Sequence, residues 1–273
     1  MSFRTGWLLG AMVMCCLPKV GEGAMISGGS NILSQSDADQ LETWLGQGPI
    51  TQTNIFSFES GPVGQNIAFD FHAAADGKGP TFTVVRVDSV WERDTITGEW
   101  IDRPDLTGQI VGGYNPESWV SFVVFNFSWD PTVREAFLFN LSTSLKLDQR
   151  SDDQGVFQTY NAIYNGPVFG GGFDLYIDNY QDDQPIRNYA YDYSYGELTG
   201  QNVFGMQWSY FSLSHLEVFT IAPYVTDPTD PTDPGAANPV PEPGSLALLG
   251  LGGLGLFHRL RRRTSTANSS ADA

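Results

Sequence analysis

Few side chains in this chain have the type and spacing to do chemistry. His72 is followed by Asp76 at an expected strand-end turn, so a Ser-His-Asp relay is conceivable there. No Gly-x-Ser-x-Gly elbow presents the serine that such a relay needs, and His72 and His215 read as structural histidines with satisfied ring nitrogens. Asp174, Asp178, Asn179, Asp182 and Asp183 place several oxygen donors around a strand end and its turn, which suits a hard cation such as calcium, although the spacing is not that of an EF-hand loop. No other cofactor is indicated. Two pairs of adjacent acids, Asp152 with Asp153 and Asp182 with Asp183, are the candidates for acid/base work on a glycan. Adjacent acids in polar turns are ordinarily just solvated, and the reading favours that. Gly170, Gly171 and Gly172 invite a phosphate-loop reading, but no lysine and no helical pattern follow them. A tight turn or bulge leading into a strand at Phe173 explains them better.

The elements that must position these residues are mainly strands. Ile67, Phe69 and Phe71 alternate with Ala68 and Asp70, Phe173, Leu175 and Ile177 alternate with Asp174, Tyr176 and Asp178, and Thr81 to Val87 is rich in β-branched residues. One helix is predicted over Asp37–Leu45, capped by Ser36 and burying Leu41, Trp44 and Leu45. A second, short one is expected near Asp130–Glu135. Many strands, few helices and 13% aromatic residues predict a mainly β (α+β) domain, a two-sheet antiparallel β-sandwich with a few flanking helices.

Residues 25–222 form one domain of ordinary size. Within it eight Lys or Arg stand against 25 Asp or Glu, a net charge of −17. Such a surface repels nucleic-acid phosphates and anionic lipid. Residues 223–239 carry a small repeat, Asp227-Pro228-Thr229, Asp230-Pro231-Thr232, Asp233-Pro234, in which each proline removes a donor and fixes its own backbone. At about 3.1 Å per residue, this linker is an extended spacer of up to roughly 50 Å.

The two ends read as addresses. Arg4 precedes an apolar run from Trp7 to Leu17 and then the small residues Gly21, Gly23 and Ala24, the layout of a secretory signal peptide over residues 1–24. Both cysteines, Cys15 and Cys16, lie inside it. Its removal leaves a chain without cysteine, which excludes disulfides, thiol catalysis and cysteine-ligated metals together. At the other end, Val240-Pro241-Glu242-Pro243 leads into an uncharged apolar stretch, Gly244 to Phe257, then Arg259, Arg261, Arg262 and Arg263, and a polar tail over 264–273. A helix over 244–260 is short of the roughly 20 residues that span a bilayer. It crosses if the arginines snorkel and the membrane thins, with the basic cluster cytoplasmic and the domain outside.

These C-terminal residues resemble the PEP-CTERM sorting signal of Gram-negative bacteria. The resemblance implies that Pro241, Glu242 and Pro243 are recognition residues for an exosortase, a membrane-embedded cysteine peptidase that removes the tail. It implies a protein passed through the secretion machinery, anchored in the inner membrane by its C-terminal helix, and then delivered to the cell surface or extracellular matrix. Exosortase systems accompany exopolysaccharide production, so polysaccharide or envelope proteins are the expected partners.

The domain carries a second resemblance. Ile55-Phe56-Ser57-Phe58, then Ile67-Ala68-Phe69-Asp70-Phe71-His72, Asp76-Gly77-Lys78-Gly79-Pro80-Thr81 and Val111-Gly112-Gly113-Tyr114 with Trp119 are similar to the TLD domain. The similarity continues in order through Ala136–Leu141, Ala162-Ile163-Tyr164, Gly166–Leu175 and Leu216-Glu217-Val218-Phe219. It implies a β-sandwich with helices at its edges and no agreed catalytic activity. Eukaryotic members are associated with oxidative-stress protection and with the vacuolar proton ATPase, a partner that an exported bacterial protein does not meet. What carries over is a non-catalytic binding module. The alternative is a secreted enzyme acting on envelope glycans or proteins through its acids or His72.

Overall fold

The β-branched run that starts at Thr81 continues to Arg93 and is hydrogen-bonded on both sides over much of its length. In the computed structural model of the protein, residues 23–60, 67–178, 188–196 and 200–224 are described. The elements run β1 (Met25–Ser27), α1 (Gln35–Leu45), β2 (Ile50–Glu59), α2 (Ile67–Ala75), β3 (Thr81–Arg93), β4 (Trp100–Asp102), β5 (Ile110–Asn115) and β6 (Val124–Phe127). They continue with β7 (Phe137–Asn140), β8 (Leu145–Asp148), β9 (Phe157–Asn161), β10 (Val168–Phe169), β11 (Leu175–Tyr176), β12 (Asn188–Tyr191) and β13 (Trp208–Pro223).

β13 is shared by two sheets. Its second half, His215 to Pro223, pairs with β2, while its start, Trp208 to Phe211, pairs with β12, and β3 lies along its other side. Register shifts around Ser212, Leu213 and His215 mark where it bends from one sheet into the other. One sheet therefore runs β2-β13-β3-β5-β7-β8 and the other β6-β9-β10-β11-β12-β13, all antiparallel, with β1 added parallel to β2. The expected β-sandwich is present as one continuous hydrogen-bonded array folded over on itself.

Period-two alternation sorts the residues of the first sheet onto two cores. Val85, Val111, Leu138, Leu216 and Val218 face the second sheet, where they meet Trp119, Phe169, Leu175, Ile177 and Phe211 and one face of α2. Their neighbours Phe82, Val84, Tyr114, Phe137, Phe139 and Phe219 face the other way, onto Ala38 and Leu41 of α1. Gly112 is required between them, because a Cβ there would lie 2.0 Å from the Thr83 carbonyl oxygen.

The predicted first helix is present, starting slightly earlier than expected. Ser34, not Ser36, is the cap: its hydroxyl accepts from the Asp37 N–H while the Asp37 carboxylate accepts from the Ser34 N–H. Ser34→Ala is expected to lower stability by about 1 kcal/mol, measured by chemical denaturation, and an unchanged midpoint would show that α1 is held by its packing alone. The short helix expected near Asp130–Glu135 is a single 3-10 turn over Pro131–Val133, capped by Asp130.

Two predicted strands are corrected. Ile67–Phe71 is not a strand but the first half of α2. The buried residues Ile67, Ala68, Phe71, His72 and Ala75 recur at helical spacing, and Phe69, which the strand reading buried, is 43% exposed. The alternation over five residues was coincidental, and Ala73 to Ala75 extend the segment with strong helix formers. In the Phe173–Ile177 run only Leu175–Tyr176 pairs as strand; Phe173 sits in a turn with φ 59°. Most of the expected signal peptide, the linker beyond Tyr224, the sorting tail with segment 244–260, and Asn179, Asp182 and Asp183 lie outside the described residues. Among the described residues, no helix is long and apolar enough to cross a membrane.

Candidate functional site: an aromatic groove on the second sheet

α2 presents His72 inward, 4% exposed, from its C-terminal turn rather than from a strand end. Its Nδ1 lies 2.7 Å from Asp76 Oδ1, and its Nε2 donates to the Ala162 carbonyl at 3.0 Å. Ser121 Oγ donates to the other oxygen of Asp76. Serine, aspartate and histidine do come together, but the carboxylate stands between the hydroxyl and the imidazole. A nucleophilic relay needs the base to touch the hydroxyl. With both ring nitrogens engaged, the cluster instead fastens α2 to the segment after β5 and to the end of β9. His215, on the bent part of β13, lies 3.1 Å from Ser214 Oγ and 3.7 Å from Glu59.

The acids are equally committed. Asp152 caps the turn that begins at Asp153, accepting from the Gln154 and Gly155 N–H groups, and pairs with Arg150 at 2.6 Å. The Arg150 guanidinium, with those N–H groups, holds its carboxyl below the usual carboxylate range. A concavity of about 450 Å³ between Lys146 and Asp152 is lined by charges already paired, Lys146 with Asp148 and Arg150 with Asp152.

Asp174 lies differently from the cation-site expectation. It is 1% exposed, and its Oδ1 accepts from the N–H groups of Tyr193, Ser194 and Tyr195 at 2.6–3.1 Å. Three backbone donors converge on that one oxygen, the environment of a held anion and not of a cation site. Burial pushes its carboxyl up to about 7, against the three N–H bonds, which favour the ionised form. Asp178 sits further along, its N–H donating to Asn188 Oδ1. No group of three or more His, Cys, Asp or Glu among the described residues converges as a metal site would.

The role of Asp174 is to close a loop. The three glycines do form the expected tight turn. Gly170 has φ +80° and lies so close to Asp174 Oδ2 that a Cβ would sit 1.8 Å from it. Gly171 donates to Ser194 Oγ, and a Cβ on Gly172 would sit 2.4 Å from Tyr193 Cβ. The turn is thus pinned down against residues 193–195.

This pinned turn forms one wall of a groove of about 430 Å³ lined by Gly172, Tyr189, Tyr191, Trp208 and Tyr210. Alternation places the rings there: Ala190 and Ser209 point into the core, so the aromatics on either side of each point out. Trp100 of β4 leans across to them, its ring 4.5 Å from Tyr210 and 5.7 Å from Trp208. Arg93 covers the Trp100 ring at 5.0 Å. Trp100 and Trp208 remain 37% and 38% exposed. Burial, with Tyr176, Tyr210 and Asp178 adding to it, holds the Tyr189 hydroxyl well above the ordinary phenol value, so it stays a protonated donor. The arrangement offers apolar ring surfaces rimmed by hydroxyls, chemistry complementary to a ligand that has both C–H faces and hydroxyl edges. Sequence reading did not single out the groove. The signal was present as Tyr189-Ala190-Tyr191 and Trp208-Ser209-Tyr210, paired aromatics at strand spacing.

The TLDc domain family matches residues 26–222 and the PEP-CTERM protein-sorting motif matches residues 239–263. No curated protein matches the sequence. The sorting motif marks an exported protein that is anchored at the membrane before exosortase processes it. A β-sandwich with two helices, whose serine, aspartate and histidine form a structural clamp and whose outer face carries an aromatic groove, is thus the folded part of an exported chain that belongs to the TLDc domain family.

Proposed function

We propose that the TLDc domain is a non-catalytic binding module, carried to the cell envelope or the extracellular biofilm matrix by the sorting tail, and that its ligand is a matrix polysaccharide held in the aromatic groove. The observation that carries this reading is the cluster of Tyr189, Tyr191, Trp208, Tyr210 and Trp100 on the outer face of the second sheet. A pyranose presents axial C–H groups on its faces and hydroxyls around its edge, and the groove presents the complement of both. The chain's formal charge of −17 disfavours phosphate-rich and other polyanionic ligands and leaves a neutral or basic sugar polymer. The linker gives the module reach beyond its anchor.

The tail fits this role by its order of motif, apolar stretch and arginines. Segment 244–260 holds the chain in the inner membrane until exosortase cuts near Glu242 or Pro243. The chain is then released to the surface or matrix. Terminal mapping of the protein from separate cell fractions tests this: surface forms should end near Pro243, and surface forms ending at Ala273 would overturn it.

For the groove, the test is retention of the purified full-length chain on insoluble β-linked polysaccharide without release of soluble sugar. Trp208→Ala should lower affinity at least about tenfold, the loss expected of a central aromatic contact. Equal retention of the variant, or turnover of the polysaccharide by the wild type, would rule against the reading.

A further inference from the structure

The groove is one end of a longer line of rings. Beyond Tyr189, Tyr176 stacks at 4.8 Å, and Phe173 lies 5.6 Å further along. From Phe173 the line continues through Tyr160 at 5.4 Å and Phe125 at 4.7 Å. Phe127 follows at 5.9 Å, and Trp129 ends it, stacked on Phe127 at 5.3 Å. All are partly or largely exposed, and Trp129 is 73% exposed. The core-facing neighbours on the same strands, Thr159, Leu175, Ala190 and Ser209, are buried, so the rings share the outer face. From Tyr210 to Phe125 they cross the sheet from β13 to β6, at right angles to the strands, while Trp208 at one end and Phe127 and Trp129 at the other continue along the strands at the two ends. Six adjacent strands at about 4.8 Å spacing make the crossing from Tyr210 to Phe125 roughly 24 Å long.

One joint in this line is strained. Phe173 adopts φ 59°, in the left-handed region that bulky residues rarely occupy. Strain of this kind persists where surrounding contacts over-determine it, and it clusters at ligand sites. Here Asp174 and the glycine turn fix the backbone on either side. The result is that the Phe173 ring fills the gap between Tyr160 of β9 and Tyr176 of β11. Intervening β10, only Val168 and Phe169, contributes no outward ring, since both are buried. Without the left-handed turn the line would be broken in the middle.

We infer that this line of rings is a track for one extended polysaccharide chain, lying across the strands from the groove at Tyr210 to Phe125, with Trp208 contacting it at one end and Trp129 at the other. The inference rests on the proposed sugar-binding groove and extends it to a ligand class: a flat, β-linked, neutral or weakly basic polymer, bound along its length and not by its end. The step from ring to ring, 4.7–6.1 Å, is close to the length of one sugar residue in an extended chain. Tyrosine hydroxyls along the track supply partners for the sugar hydroxyls. A polyproline-type peptide is the competing occupant of an aromatic surface, but it fills short pockets between paired rings and does not need a track of this length.

The experiment is isothermal titration of the full-length chain with cellobiose, cellohexaose and the matching β-linked N-acetylglucosamine oligomers. The hexamer of at least one series is expected to bind about tenfold or more tightly than its dimer. Trp129→Ala, at an exposed position that the fold does not need, should bring hexamer affinity down toward that of the dimer while dimer binding persists. Trp208→Ala should weaken both. Equal affinities for dimer and hexamer, or an unchanged hexamer affinity in Trp129→Ala, would overturn the track and leave the groove standing. Wild-type protein that binds none of these sugars overturns both. Tighter binding of decaproline than of any hexamer assigns the surface to a peptide and overturns the inference.

Discussion

Asp174→Asn leaves stability near pH 4 almost unchanged and raises it near pH 8. The sign follows from burial. The native carboxyl is pushed up to about 7, whereas in the unfolded chain it titrates near its ordinary value of about 4. A raised acid contributes stability that is fully present below about pH 4, while both states hold the proton. That contribution is lost as pH rises toward about 7, because the unfolded state releases the proton first, and the curve is flat above that. A shift of about three units corresponds to roughly 4 kcal/mol, an order-of-magnitude figure. Asparagine has the shape of the protonated acid and keeps an oxygen for the N–H groups of Tyr193, Ser194 and Tyr195. The comparison isolates Asp174. Asp192, also raised by burial, and Asp94, Asp105, Asp130 and Asp152, lowered chiefly by hydrogen bonds, titrate in both proteins. Asp174→Ala is expected to destabilise at every pH, since it strands three buried donors. Thermal melting across the range is the measurement. A gap between wild type and Asp174→Asn that does not change with pH would mean that the Asp174 carboxyl titrates in the fold as it does in the unfolded chain.

Trp119→Ala is expected to cost roughly 3–5 kcal/mol, a fall in melting temperature of about 10 °C for a domain of this size. The residue is wholly buried, edge-on to Phe71 of α2 at 5.3 Å and to Phe169 of β10 at 5.5 Å. Its Nε1 donates to Thr81 Oγ1 at 2.8 Å, and its backbone pairs with Asp76. Removing the indole opens a cavity between α2 and the second sheet and strands a buried hydroxyl. Trp119→Phe, which keeps most of the ring, should recover more than half of the loss. A melting temperature within 2 °C of the wild type for Trp119→Ala would show that the two sheets hold together without this wedge.

The clamp formed by His72, Asp76 and Ser121 shows how far sequence spacing reaches. His72 and Asp76 at i and i+4 were legible as partners, and they are partners. The reading put them at the end of a strand, where they would have faced a turn. The helix turned His72 inward instead, and Ala162, ninety positions away, took its second nitrogen. Nothing within the segment announces that contact. The acid just ahead of β11 behaves similarly. Counting Asp174 among cation ligands treated its side chain as outward on a strand, but the left-handed Phe173 places the carboxyl in the interior instead.

A contiguous segment can specify only what its own chemistry carries. The sorting tail, the acidic charge and the proline spacer need no partner to be recognised. Thr81–Val87 and Asp37–Leu45 were also legible, because their periodicity is long enough to exclude the other conformation. Long-range packing settled that Ile67–Ala75 is helical, that Asp174 holds three backbone N–H groups, and that rings from β4, β6, β9, β11, β12 and β13 share one face. Each of these depends on groups distant in sequence becoming neighbours. Burial and hydrogen-bond satisfaction are settled by those neighbours, at energies that exceed the local propensities from which a sequence is read.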